Sequence, residues 1–295
     1  MGLRTNPTQQ QQRLGAELRK LRDAAGITAA DAGRHADISG THLGHMESGR
    51  TAFPRIKLQA LLYAYGIESE PYINALLTMS DATGRGWWSD YRHDVAGNAR
   101  DLAELECTAT SQSVFDMVYL PGLLQTPEYA QALLESANHD KDATTTERFL
   151  RFRLQRQEIL TGDSPPRYHA IIHEAAFHMD FVSPDIMRRQ LAHLVEVVRL
   201  PHVTVQILPF KSGGFPAVGT PFTLFGTTPP ELSTVYLEHD AGSVFFGDQR
   251  RIGHYTEIFA KLSSVALPPL TLETEREFAT KRDSFSLVQH LAYIL

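Results

Sequence analysis

The residues best suited to recognition chemistry lie close together, between Ser39 and Lys57. Thr41 can touch a thymine methyl or a base edge, and His42 and His45 can each donate one hydrogen bond. Arg50, Arg55 and Lys57 follow within a few residues, and such cations suit phosphate contacts. This set points to contact with nucleic acid. The segment Gly40 to Ser48 contains no Arg, Lys, Asn or Gln, the side chains that form paired hydrogen bonds with guanine or adenine, so direct reading of bases is expected to be sparse. A solvated helix face is the plain alternative for both histidines.

A second set lies further along. Arg153, Gln157, His173, Glu174 and Glu238 are polar residues beside apolar runs and form a candidate ligand pocket; hydrogen bonding within the fold explains them about as well. His169, His173 and His178 are the closest histidine cluster there, but on a strand the first two stand about 13 Å apart, too far to share one ion. No metal site or cofactor is expected. The chain has no Gly-x-Ser-x-Gly elbow, no phosphate loop ending in Gly-Lys-Ser/Thr and no Gly-x-Gly-x-x-Gly after a strand, so an enzyme is not expected. Lys211 to Gly214 reads as an ordinary surface loop.

The first eighty residues must position the recognition set, and their pattern is helical. Leu14, Leu18 and Leu21 line one face of a helix over 13–24, which Gly26 stops. Thr28 caps a short second helix through Ala36, whose Ala29, Ala32, Gly33 and Ala36 let another helix come close. After a tight Asp37-Ile38-Ser39 connection, Ser39 caps a third helix running to Ser48. A fourth follows over 54–65 and a fifth over 71–79. Two short helices joined by such a turn can place the second in a major groove. Periodicity alone leaves a plain helical bundle equally open.

The run Leu14-Gly15-Ala16-Glu17-Leu18-Arg19-Lys20-Leu21-Arg22, then Gly26-Ile27-Thr28 and Leu43-Gly44-His45-Met46-Glu47-Ser48-Gly49-Arg50, resembles the Xre-type helix-turn-helix family. The resemblance implies Thr28 and Ala29 near a backbone phosphate, Thr41, His42 and His45 toward the groove beside Ser39 and an exposed Gly40, and Arg50 at the next phosphate. The chain departs from that pattern where Ala29 stands in place of a frequent Gln.

Bulk numbers set the wider frame. At 295 residues, about two domains are expected. Residues 1–80 carry 9 Lys and Arg against 7 Asp and Glu, whereas residues 81–295 carry 19 against 27. Only the front suits phosphate, and the acidic remainder suits a small ligand, a protein partner or self-association. No stretch is apolar enough for a membrane span, and a cytoplasmic location is expected. The single cysteine, Cys107, reads as a small buried side chain. Residues 1–12 read as a disordered arm, 13–80 as the all-α helix-turn-helix domain, 81–98 as a linker and 99–295 as an α/β domain with a mixed sheet. Within the linker, Trp87 and Trp88 either dock it onto one domain or across a dimer, or cap the second domain's core.

In the larger domain, helices over 99–111, 144–162, 184–198, 249–264 and 273–289, and one capped by Thr126 with Pro127 in its first turn, alternate with strands over 114–119, 168–173, 203–208, 222–225, 234–238 and 243–246. Pro121-Gly122-Leu123-Leu124-Gln125-Thr126-Pro127-Glu128-Tyr129-Ala130, with Arg156-Gln157, His173-Glu174-Ala175, Val205 to Phe210 and Tyr236-Leu237-Glu238, resembles the C-terminal domain of actinobacterial WhiJ-like, antitoxin-like regulators. That resemblance implies transcriptional control in development or antibiotic production. The expected partners are double-stranded DNA, a second copy in a homodimer, a small-molecule effector and a small protein encoded nearby. An antitoxin-like protein that binds the small partner and autoregulates its operon is the second reading.

Overall fold

Helix ends in the first part of the chain follow their capping chemistry. The computed structural model describes residues 6–82, 84–137, 143–239, 242–271 and 283–295. Helix α1 (Gln9–Ala24) begins one turn earlier than expected. Thr8 Oγ1 accepts from the Gln11 N–H, and Gln11 Oε1 accepts from the Thr8 N–H. This reciprocal cap, together with the good helix propensity of glutamine, orders Gln9 to Gln12, which were expected to lie in a disordered arm. Helices α2 (Ala29–His35), α3 (Gly40–Glu47), α4 (Arg55–Ala64) and α5 (Glu70–Asp81) follow. Gly49 takes φ +74° after α3, a conformation few other residues adopt cheaply. Leu14, Leu18, Leu43, Met46, Leu58, Leu61 and Leu76 form the buried centre of this bundle.

After α6 (Gly97–Thr108) the pattern changes to alternating strands and helices. The order is β1 (Ser111–Asp116), α7 (Pro127–Ala137), α8 (Ala143–Gln157), β2 (Arg167–His173), α9 (Pro184–Val197) and β3 (Val203–Leu208). Then come β4 (Phe222–Gly226), β5 (Thr234–His239), β6 (Gly242–Phe246), α10 (Gln249–Val265) and α11 (Ser284–Ile294). The described strands form one sheet in the order β3-β2-β1-β4-β5-β6. β1, β2 and β3 pair in parallel, and the remaining pairs are antiparallel. Side-chain alternation gives the sheet two apolar faces. Val114, Ala170, Ile172 and Val205 pack with Tyr129, Leu191, Leu194 and Leu287. On the other face, Phe115, Ile171, Leu208 and Phe222 pack with Phe259 and Leu262 of α10. The fold is thus an all-α helix-turn-helix region followed by a mixed-sheet α/β region.

Packing divides the chain into two units. One comprises the residues up to Arg92 with Ala96–Leu105 and Thr228–Leu232; the other comprises His93–Val95, Glu106–Thr227 and Ser233–Leu295. The division therefore does not follow the expected 81–98 linker. Trp87–Tyr91 form a 3-10 helix grouped with the first unit, where Trp87 meets Trp88 and Tyr91 edge-on at 5.9 and 6.1 Å. Both indoles are half-buried. The first sheet strand ends at Asp116, three residues before the expected Tyr119, because the chain bends toward the 3-10 turn at Gly122–Leu124. The last helix begins at Ser284; the first part of its expected span, 273–282, lies outside the described residues. Cys107 is exposed near the end of α6, not buried.

Candidate nucleic-acid interface

The α2–turn–α3 pair is built by close approach. A Cβ on Gly33 would lie 2.5 Å from the Ile38 carbonyl oxygen, and one on Gly40 would lie 3.0 Å from the Ala30 nitrogen. Gly40 is therefore half-buried against α2, which corrects the expectation that it is an exposed recognition residue. Asp37 turns the corner at φ +50°, a conformation Asp tolerates better than most side chains. Ser39 and Thr28 cap the two helices, accepting from the N–H groups of His42 and Asp31 at 3.1 Å each. Both caps are exposed, whereas Ala29 is half-buried.

Helix α3 has two distinct sides. Leu43 and Met46 are fully buried, while Thr41 and His42 are exposed and His45 is half-buried beside them. The three outward residues share one side because the helix turns about 100° per residue. Helix α1 holds the buried side in place. A Cβ on Gly15 would fall 2.3 Å from the Glu47 carbonyl oxygen, so the α1–α3 crossing tolerates no larger residue there. Arg22 grips Glu47 through two hydrogen bonds of 2.6 and 3.0 Å, and this bidentate contact raises its pKa further despite burial. Glu17 is also buried. Burial works to raise its pKa, but hydrogen bonds from Lys20, Tyr72 and Arg13 outweigh it and hold the carboxylate below its ordinary value.

Sequence reasoning missed these two ion networks. Arg22 falls outside the leucine stripe of α1, and only its partner across the turn explains its burial.

The cations differ in availability. Arg50 is exposed, and among the described residues its side chain has no hydrogen-bond or ion-pair partner. Arg55 pairs with Asp81 at 2.6 Å, an exposed contact that phosphate can readily replace. Lys57 donates to the Asp37 carbonyl oxygen at 3.0 Å and so braces the corner itself. Thr28 donates to the Asp31 carboxylate at 2.6 Å, which places negative charge at the start of α2.

The five candidate pocket residues separate into two groups. Arg153 donates to Gln125 Oε1 at 2.8 Å, and Gln157 donates to the Gly122 and Gln125 carbonyl oxygens at 2.9 and 2.8 Å. Glu238 lies within electrostatic reach of Arg153. His173 and Glu174 lie elsewhere. His173 Nδ1 accepts from the Ala175 N–H at 3.1 Å, its ring meets Phe210 at 5.3 Å, and burial lowers its pKa despite Glu174. Glu174 accepts from the Phe210 N–H at 2.9 Å and pins the chain after β3. Asp116, beside the first group, was not foreseen, since a lone Asp at a strand end resembles a turn residue.

A capped helix, a tight corner and a second helix with a polar outward side define a helix-turn-helix DNA-binding regulator, and a helix-turn-helix domain model matches residues 13–75. The larger match is to a domain of unknown function, DUF5753, over residues 99–271. That span exceeds half of the chain, and the protein belongs to the DUF5753 family. No curated protein and no solved structure matches it. Among the described residues, no helix is long and apolar enough to cross a membrane.

Proposed function

We propose that this protein is a sequence-specific, Xre-type transcriptional regulator that acts as a cytoplasmic homodimer and reads DNA through α3, with its C-terminal domain receiving a small-molecule or protein signal. The observation that carries this reading is the outward side of α3, where Thr41, His42 and His45 stand clear of the core with Arg50 unengaged beyond the helix end. Thr28, Ala29 and Ser39 sit at the helix starts that would meet phosphate, and Arg55 and Lys57 reinforce the same region. A dimer would read half-sites about 10 bp apart, or a multiple of that. The WhiJ-like resemblance supports a role in development or antibiotic production.

Selection from random duplexes, followed by anisotropy titration of the selected site, tests this. Arg50→Ala should weaken binding to all sequences and lower the salt slope by about one. Thr41→Ala and His42→Ala should relax sequence preference. Binding unchanged in all three variants overturns the assignment. The absence of Arg, Lys, Asn and Gln from α3 favours a second reading, an antitoxin-like protein whose small co-bound partner sharpens DNA binding. Co-purification of such a partner, with tighter DNA binding on its addition, distinguishes the two.

A further inference from the structure

The parallel strands β1 and β5 bring unbalanced charge to their carboxyl ends. The connections from β1 to β2 and from β2 to β3 carry the sheet outward in one direction, and β4 then enters on the other side of β1. β4 is antiparallel to both β1 and β5, so β1 and β5 run in the same direction and their carboxyl ends lie at one edge of the sheet. Asp116 ends β1 at this place. Phe115 lies opposite Phe222, and Phe222 opposite Leu237, so Asp116 and Glu238 stand one step further along the same line across the sheet. Alternation sends both side chains to one face.

The charges there do not cancel. Arg156 is closed onto Glu106 by hydrogen bonds of 2.8 and 2.6 Å. Arg153 faces both Asp116 and Glu238, donates to the neutral Gln125 and stands within electrostatic reach of Arg156 and Tyr129; Arg156 in turn reaches Glu238, so two guanidinium groups stand against the three carboxyls of Glu106, Asp116 and Glu238. Among the described residues the Asp116 carboxyl has no hydrogen-bond partner, and its charged or titratable neighbours are Glu238, Arg153, Tyr129 and Tyr168. Burial pushes its carboxyl up to about 7, with Glu238 adding to the rise and Arg153 opposing it. The residue as a whole is nevertheless only half-buried, and its carboxyl oxygens are not among the fully enclosed unpartnered atoms. A carboxyl that is crowded yet still meets solvent lines a recess. Tyr119, on the loop after β1, is 48% exposed and lies with Asp116 in electrostatic reach of Tyr129. The recess therefore has an aromatic edge and is one positive charge short.

We propose that this recess is the effector site of the DUF5753 domain and that it takes a small organic cation, a protonated amine on an apolar body, with the ammonium between Asp116 and Glu238 and the body toward Tyr119. This deepens the sensing role proposed above and rests on it. An ammonium balances the second carboxylate, whereas an anion meets two like charges. Binding should tighten as pH rises through 7, because Asp116 ionises while Arg153, Arg156, Tyr129 and Tyr168 keep their protons.

The test uses the full chain and benzylammonium at about millimolar concentration, with benzyl alcohol and benzoate as controls, read by saturation-transfer NMR. Benzylammonium should bind roughly tenfold more tightly at about pH 8 than at about pH 6, following the ionised fraction of Asp116. Asp116→Asn should abolish that difference, and Glu238→Gln, at an exposed position, should weaken binding several-fold without affecting folding. Equal signals from the amine and the alcohol, or an amine signal unchanged in both variants, overturn the proposal. DNA affinity is titrated separately with and without benzylammonium. Loss of the amine signal alone removes the site and leaves the DNA-reading role intact, whereas site-dependent binding without any change in DNA affinity supports the site and removes the sensing role.

Discussion

Replacing Glu47 with Gln should destabilise the helix-turn-helix unit by about 2–3 kcal/mol. The side chains of Arg22 and Glu47 are only 11% and 7% exposed, and removing one partner of a pair buried to that degree typically costs about 3–5 kcal/mol. Here the stranded guanidinium keeps two other oxygens. Its Nη1 donates to the Ile27 carbonyl at 3.0 Å, a contact of about 1 kcal/mol, and lies 2.8 Å from the Asp23 carboxylate, which is 57% exposed and contributes little. Subtracting these brings the loss to the stated range. Both tryptophans of the chain, Trp87 and Trp88, belong to this unit, so urea unfolding followed by indole fluorescence reports on it selectively. DNA affinity should fall further than the unfolded fraction accounts for, since the pair sets where α3 ends against α1. Arg22→Met combined with Glu47→Leu should recover much of the stability, as apolar pairs of similar volume replace buried ion pairs well. A loss below about 0.5 kcal/mol for the single change would refute the reasoning, because the pair would then behave as a surface bridge.

Gly15→Ala should cost about 1–3 kcal/mol in the same assay, because the new methyl would sit 2.3 Å from the Glu47 carbonyl oxygen and force α1 and α3 apart. Asp31→Asn should tighten DNA binding several-fold at low salt, with the gain fading as salt rises, since it removes negative charge beside the proposed phosphate contact at Thr28. Burial pushes the Glu104 carboxyl up to about 7 against a hydrogen bond from Thr8. The folded unit holds that proton more tightly than the unfolded chain, so the associated stability is complete below the ordinary value of 4.5 and is lost as pH rises through 7. Glu104→Gln should therefore match the parent near pH ~4 and exceed it by about 2 kcal/mol near pH ~8. Parallel losses in both proteins would count against this placement of the proton.

Much of the architecture was legible because caps and periodicity are local. Thr28 and Ser39 cap helices α2 and α3 as expected, and five of the expected strands begin within one residue of the observed ones. Strand order was not legible, since β4 joins β1 across more than a hundred residues and no local signal marks that pairing. The same limit hid Arg22–Glu47 and the Glu17 network, whose members look like ordinary surface charges until α1, α3 and α5 meet. Arg153, Gln157 and Glu238 were singled out as pocket candidates by their setting beside apolar runs. Asp116 was missed, because its significance comes from a register shared with Glu238 two strands away. Gly40 was assigned outward from its place in the helix, and only the proximity of Ala30 turned it inward.

The loop Thr228–Leu232, between β4 and β5, has a consequence for anyone wishing to transplant the DNA-reading head. Leu232 is part of the bundle's core, and the Glu231 carbonyl accepts from Arg13 at 2.8 Å, so a fragment ending near residue 80 would leave a hole where that leucine belongs. The head is not a detachable cassette. Chimeras that keep the borrowed hairpin tip should retain the parent's melting behaviour, and those that cut it away should not.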